Sequence, residues 1–191
     1  MKYYALKDNF KKTIVNDWEE AKEILKDMKS PKYKSFKTIE EAKAFLEAKE
    51  IELDYDLPTA FIDGSYDKNT ENYSFGGCLF INKKMYTFKK KYLKDEYSSF
   101  RNVAGEIKGA GYIINYAINH DIKELNIYYD YIGIEKWYKN EWKANSPIAI
   151  EYVKFAEEAK KKIKVNFFKI ESHTNNKYND LADKLAKEAL L

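Results

Sequence analysis

The sequence predicts a mixed α/β protein in two parts. A five-stranded mixed sheet flanked by helices is expected over 58–191, preceded by a small α+β module of three strands and two helices over 1–48. Three observations carry this expectation. Short elements in β-β-α-β-α order fill the first 48 residues; an acidic stretch without periodicity, EAKEIELDYDL, closes them off and supplies a linker over 49–57; and from Pro58 three apolar runs in succession give way to strands alternating with helices. Successive strands imply an antiparallel meander, and the later alternation implies helices packed on the faces of a mixed sheet. A chain of 191 residues suits one domain of roughly 100–150 residues plus a small module.

Taken in order, Tyr3-Tyr4-Ala5-Leu6 reads as a strand, Lys7 to Lys12 as a polar turn and Ile14-Val15 as the return strand of a hairpin. Asn16 or Asp17 can cap a helix starting at Trp18, where Trp18, Ala21, Ile24 and Leu25 recur at helical spacing. Pro31 interrupts that helix, Lys32 to Phe36 is a third strand, and Thr38 with Glu41 forms a capping box for a second helix through Leu46. Beyond Pro58, strands are expected at Thr59–Asp63, Ser74–Ile81, Met85–Lys91, Leu125–Tyr129 and Lys164–Glu171. Helices are expected over Ala104–Asn119, Ile132–Lys139, Ile148–Lys162 and Asn179–Leu190.

Composition narrows the class. Hydrophobic residues make up 45% and charged residues 34%, enough for a core and too apolar for disorder. The single cysteine, Cys78, excludes an intramolecular disulfide and thiolate metal clusters, which suits a reducing, cytoplasmic compartment. The start, MKYYALKDNFKK, has no apolar leader, and no stretch approaches the roughly 18 apolar residues of a membrane span, so neither export nor a membrane partner is expected. The net charge of +3 is unevenly spread: residues 1–49 hold 12 Lys against 9 acids, whereas residues 50–191 hold 22 basic against 22 acidic residues. An anionic partner for the first segment follows from that asymmetry.

The chemistry is suggested by four carboxylates in four separate segments. Asp63 closes an apolar strand and is followed by Gly64-Ser65; Asp130 closes the strand Leu125-Asn126-Ile127-Tyr128-Tyr129. Either could be an ordinary turn or cap acid, but two acids at strand ends are well placed for metal or phosphate work. Glu106 lies near the start of a helix rich in small residues, where the macrodipole favours an acid and close packing on the sheet is possible. Asp183 flanks the apolar stripe of Leu181, Leu185 and Ala189 in the last helix, with Asp180 as a rival that spacing does not separate. His173 stands ten residues before Asp183 in a polar loop, as a proton shuttle or as a solvated side chain. Scattered hard oxygen donors of this kind are what a two-metal phosphodiester hydrolase needs, its cations roughly 3.5–4 Å apart.

In order, the motifs FIDGS, NVAGEIKGA, IYYD and SHTNNKYNDLADKLAKEA resemble those of type 1 ribonuclease H, the family that cleaves the RNA strand of RNA–DNA hybrids, over residues 58–191. The resemblance implies a ribonuclease H-like fold, two Mg²⁺ ions (Mn²⁺ as a substitute) on Asp63, Glu106, Asp130 and Asp183, and a product-release role for His173. The family's ten-residue interval from His to the last Asp selects Asp183 over Asp180. It also implies products with 5′-phosphate and 3′-hydroxyl ends, made by a monomer. Discrimination of RNA from DNA requires contacts to 2′-hydroxyls, for which Gly64, Ser65, Tyr66, Asn102 and Glu106 are candidates. The alternative is a catalytically degenerate hybrid-binding protein.

Residues 3–46, through YYALK, Trp18 and PKYKSFKTIEEAKAFL, resemble the hybrid-binding domain of such enzymes and of caulimovirus viroplasmin. By that resemblance Tyr4, Trp18, Tyr33 and Lys34 grip an RNA–DNA hybrid or double-stranded RNA, aromatic faces stacking on sugars and lysine neutralising phosphate. The chain departs from these families in four places. Tyr131 stands where Ser often follows the third acid, Ser35 where a second basic residue can occur, and Asp8 and Phe10 in a turn that is commonly basic. The stretch Trp137–Lys143 is too short for a basic protrusion, which leaves affinity more dependent on residues 1–49.

Overall fold

The computed structural model describes residues 2–8, 10–47, 56–170 and 176–191. These form two compact units.

The first unit contains β1 (Tyr3–Lys7), β2 (Lys12–Val15), α1 (Trp18–Lys26), β3 (Lys32–Phe36) and α2 (Ile39–Glu47). Its antiparallel sheet has the order β2-β1-β3. Successive residues of a strand point to opposite faces, and the central strand uses both: Leu6 packs with Val15, Ala21 and Met28 under α1, while Ala5 packs with Ala42 and Phe45 under α2. Of the two expected caps, Asp17 is the one used, accepting from the Glu20 N–H at 2.9 Å. The capping box of α2 forms reciprocally, with Glu41 N–H donating to Thr38 Oγ1 at 3.2 Å and Thr38 N–H to Glu41 Oε2 at 3.3 Å. These two helix starts follow from local side-chain chemistry alone.

The second unit contains β4 (Thr59–Tyr66), β5 (Tyr73–Ile81), β6 (Lys84–Tyr92), α3 (Asn102–Asn119), β7 (Glu124–Tyr129), α4 (Gly133–Tyr138), α5 (Pro147–Ala159), β8 (Lys164–Lys169) and α6 (Lys177–Leu190), with a 3₁₀ turn over Ser98–Phe100. Strand order is β6-β5-β4-β7-β8. The first three strands are antiparallel and the last three parallel, the expected mixed sheet. One face carries the large core, where Ala60 and Ile62 of β4 meet Ile107, Ala110 and Ile114 of α3 and Ile148 and Tyr152 of α5. The other face receives α6, whose Tyr178 ring packs at 5.1 Å from Phe61 and 4.7 Å from Phe80.

Asp63 departs from its expected place. It does not end β4, which runs on to Tyr66 in register with β5, Asp63 lying opposite Gly76. The reason is that the two edges of β4 have different partners. Pairing with β7 stops at Phe61↔Tyr128, whereas pairing with β5 continues to Tyr66↔Tyr73. Asp63 and Asp130 each sit two residues beyond that last parallel pair, so one row of the sheet carries both.

Glycine sets how near the helices come. A Cβ on Gly76 would stand 2.2 Å from the backbone nitrogen of Ala186 in α6, and a Cβ on Gly105 of α3 would stand 2.0 Å from the carbonyl oxygen of Ser74. Real side chains never tolerate such distances, so both contacts are backbone on backbone. The Ser74 hydroxyl fastens the first of them by donating to the Ala186 carbonyl at 2.6 Å. Gly76→Val is expected to force α6 outward and destabilise the protein by at least about 1–3 kcal/mol, measured by urea unfolding; unchanged stability would show that α6 is not seated through Gly76.

Candidate functional site

Three acids converge at the end of the β4–β7 row. Asp63, Glu106 and Asp130 each offer a carboxylate oxygen within 4.8 Å of the others. Gly64 makes this possible, since a Cβ there would collide with the Asn102 carbonyl at 2.2 Å and with Glu106 Cγ at 2.8 Å. Without a side chain at 64, the first turns of α3 lie directly on β4 and Glu106 extends across it. The same close approach sets Asn102, the first residue of α3, beside Gly64. Ser65 and Tyr66 follow on the half of β4 that pairs only with β5.

Burial and like charge dominate the electrostatics. Glu106 is 2% exposed and Asp63 9%. Burial, then the Asp130 charge, push the Asp63 carboxyl up to about 7 against the opposing hydrogen bond from Gly64 N–H, which donates to Oδ1 at 2.7 Å. Glu106 is raised well above the ordinary carboxyl range by burial first, then by a hydrogen bond shared with Asp130 and by the Asp130 and Asp63 charges. A hydrogen bond between two carboxyls needs a proton on one of them. The Tyr131 backbone N–H donates to Glu106 Oε2 at 3.2 Å. The tyrosine at 131 therefore leaves backbone support of Glu106 in place, while its ring turns to Trp137 at 5.8 Å.

Asp183 lies outside that trio. Its Oδ2 pairs with Lys187 Nζ at 2.6 Å, one turn further along α6. Its charge nevertheless raises Asp63, and Lys187 lowers it, so Asp183 flanks the cluster with a cation in attendance. Asp180 is exposed and exerts no such effect among the described residues. His173 falls outside the described residues.

The donor set fits hard divalent cations. All ligands are oxygens, which suit Mg²⁺ or Mn²⁺ rather than thiophilic metals. The raised carboxyls of Asp63 and Glu106 are groups whose charged forms a bound cation would favour.

In the N-terminal unit the aromatic part of the expected grip assembles. Trp18 stands 5.2 Å from Tyr4 and 5.8 Å from Tyr33, with Tyr33 53% exposed. Lys34 does not join them. Tyr33 pairs with Leu6 on the α1 face, and Lys34 with Ala5 on the α2 face, where its Nζ lies 6.0 Å from the Phe36 ring. Strand alternation makes the expected four-residue grip a three-ring cluster on one face and a cation on the other.

Lys187 beside the cluster was missed in the sequence, as was the backbone conformation of Arg101 before α3. Arg101, the chain's sole arginine, precedes α3 with φ 56° and ψ −131°, a left-handed conformation that disfavours a side chain. Its composition was a usable signal; its backbone was not. Lys187 could have been found as the i+4 partner of Asp183, a spacing that pairs opposite charges on a helix.

The buried acids also fix how stability follows pH. Above pH 3.8 the unfolded chain has lost a proton that folded Asp63 keeps to about 7, so the cation-free protein loses stability as pH rises through that window. In EDTA the thermal midpoint is expected to fall between pH 5 and pH 7, and the Asp63→Asn variant to show a shallower fall, since each tenfold gain in proton affinity on folding is worth ~1.4 kcal/mol. Parallel pH profiles for the two proteins would contradict the assignment.

Residues 2–46 match the family described as the ribonuclease H1 N-terminal domain, and residues 57–191 match RNase H. Among curated relatives, a ribonuclease H of Clostridium botulinum is 38% identical over 60 residues, covering 30% of this chain and 40% of the relative. A ribonuclease H of Caldanaerobacter subterraneus subsp. tengcongensis is 37% identical over 60 residues, covering 30% and 39%. These matches thus span about two fifths of each relative's length. The fold is similar to that of RNase H1 from the halophilic archaeon Halobacterium salinarum, with TM-score 0.58 and 19% identity over 70% of this chain and 96% of the other. It is also similar to LC11-RNase H1 solved in complex with an RNA/DNA hybrid, with TM-score 0.55 and 14% identity over 70% and 99%. With most of its length matched by the RNase H family and with that family's fold, the chain belongs to the ribonuclease H family.

Proposed function

We propose that this chain is an endonuclease that hydrolyses the RNA strand of RNA–DNA hybrids, leaving 5′-phosphate and 3′-hydroxyl ends, in the cytoplasm. The convergence of Asp63, Glu106 and Asp130 within 4.8 Å is the observation that carries this reading. Asp63, Glu106, Asp130 and Asp183 would hold two Mg²⁺ ions, which when bound activate water and stabilise charge on the scissile phosphate. Gly64 presents bare backbone beside Asn102, a surface on which a 2′-hydroxyl can be read by a carbonyl and an amide. His173 accepts or donates the proton that accompanies product departure. Tyr4, Trp18 and Tyr33 offer stacking faces to a duplex, and the +3 excess of residues 1–49 favours its phosphates.

A labelled RNA–DNA hybrid, duplex DNA and duplex RNA, each with and without Mg²⁺, test the proposal. Cleavage of the RNA strand of the hybrid alone, dependent on Mg²⁺, is expected. Asp63→Asn should fold normally and lose activity by about 10³-fold or more; cleavage at the normal rate would overturn the catalytic assignment, and hybrid binding without any cleavage by the unmodified protein would favour the degenerate alternative. Trp18→Ala should weaken hybrid binding about tenfold, a change of ~1.4 kcal/mol, as read by fluorescence anisotropy. Equal affinity would remove the aromatic cluster from substrate recognition.

A further inference from the structure

A cleft of 240 Å³ opens between α3 and α5, on a part of the second unit that the carboxylate chemistry does not use. Its walls include the rings of Tyr92, Tyr112 and Phe155, and its lining also includes Gly111 and Asn115. Gly111 is the informative residue. Glycine within an 18-residue helix is destabilising relative to alanine, and it usually persists because something packs against it. At Gly64, Gly76 and Gly105 that something is backbone, but a Cβ on Gly111 would meet nothing within 4 Å. The fold itself does not require the missing side chain there.

The lining has a definite chemistry. Tyr112 is held 5.2 Å from Phe75 and 5.4 Å from Phe88, yet it remains 41% exposed. The charged wall is internally neutralised, since Lys108 Nζ meets Glu151 Oε1 at 2.9 Å and the Tyr97 hydroxyl donates to Glu151 Oε2 at 2.6 Å. The exposed Asn115 side chain, with both a donor and an acceptor, makes no hydrogen bond to another described residue. Lys90, whose Nζ lies 5.0 Å from the Tyr92 ring centre, has no acidic partner among the described residues. Flat aromatic walls, a bifunctional amide and a lysine held over the ring of the wall residue Tyr92 match a base with a phosphate attached. The volume suits the base of one nucleotide, with sugar and phosphate toward the open side, since sites that enclose a larger ligand usually measure roughly 300–1,000 Å³.

We propose that this cleft binds one nucleotide, its base against Tyr92, Tyr112 and Phe155, its edge on Asn115 and its phosphate on Lys90. The site is independent of the carboxylate cluster and of the activity proposed for it. Calorimetric titration of the full chain with AMP, adenosine and inorganic phosphate tests it. AMP should bind saturably, adenosine about tenfold more weakly, and phosphate alone not measurably. Gly111→Leu fills the cleft from its open side and should weaken AMP binding by about tenfold or more while hybrid cleavage is unchanged. Gly111→Ala should raise the thermal midpoint and retain binding, Asn115→Ala should weaken binding several-fold without affecting the fold, and Asp63→Asn should leave AMP affinity unaltered. The proposal is overturned if AMP fails to bind at millimolar concentration, binds as well to Gly111→Leu and Asn115→Ala as to the parent, is matched by phosphate alone, or is lost in Asp63→Asn.

Discussion

The second unit holds three acids in close contact at the cost of burying two of them. Three carboxyls approach within 4.8 Å in a place where two of them are almost wholly buried, and no counter-charge among the described residues outweighs that burial at Asp63 or Glu106. Such an arrangement does not assemble because the acids favour it; it is imposed by packing elsewhere. The packing responsible is backbone against backbone. Gly64 and Gly105 let α3 rest on β4 and β5, and Gly76 admits α6 on the opposite face. Large apolar contacts through Ile107, Ile113 and Ile114 then hold α3 where electrostatics alone would move it.

The sheet contributes a second constraint, its change from antiparallel to parallel pairing. Where β7 stops pairing with β4, the backbone groups of β4 beyond Phe61 lose one neighbour and keep the other. Asp63 consequently lies on a stretch of strand that is paired with β5 on one side and not with β7 on the other. Asp130 stands just beyond the last residue of its own strand, at the same level of the sheet. Asp183 comes from the helix on the other face, half-exposed and paired with Lys187, so the fourth acid stands apart from the other three by its counter-ion.

The N-terminal unit solves a different problem, stability in a small set of short elements. Burying both faces of β1, with α1 on Leu6 and α2 on Ala5, gives it two small cores instead of one. The aromatic trio of Tyr4, Trp18 and Tyr33 belongs to the first of these faces, and its outer rings stay exposed, so the same cluster packs the unit and presents a surface.

Much was legible from local chemistry. The Asp17 cap, the Thr38–Glu41 box, the two-part organisation and the acid-bearing segments each depend on residues within a few positions of one another, and the motif order named the family. What was not legible depends on partners distant in sequence. That Asp63 lies within a strand follows from unequal pairing at the two edges of β4, and that Lys34 leaves the aromatic cluster follows from which core Leu6 and Ala5 enter. The residue types and spacing determined the donor set and the elements that carry it. Only the tertiary structure decided that three acids share one buried point while the fourth flanks it, because distance, burial and field depend on how closely whole elements approach, and here glycine backbones set that approach.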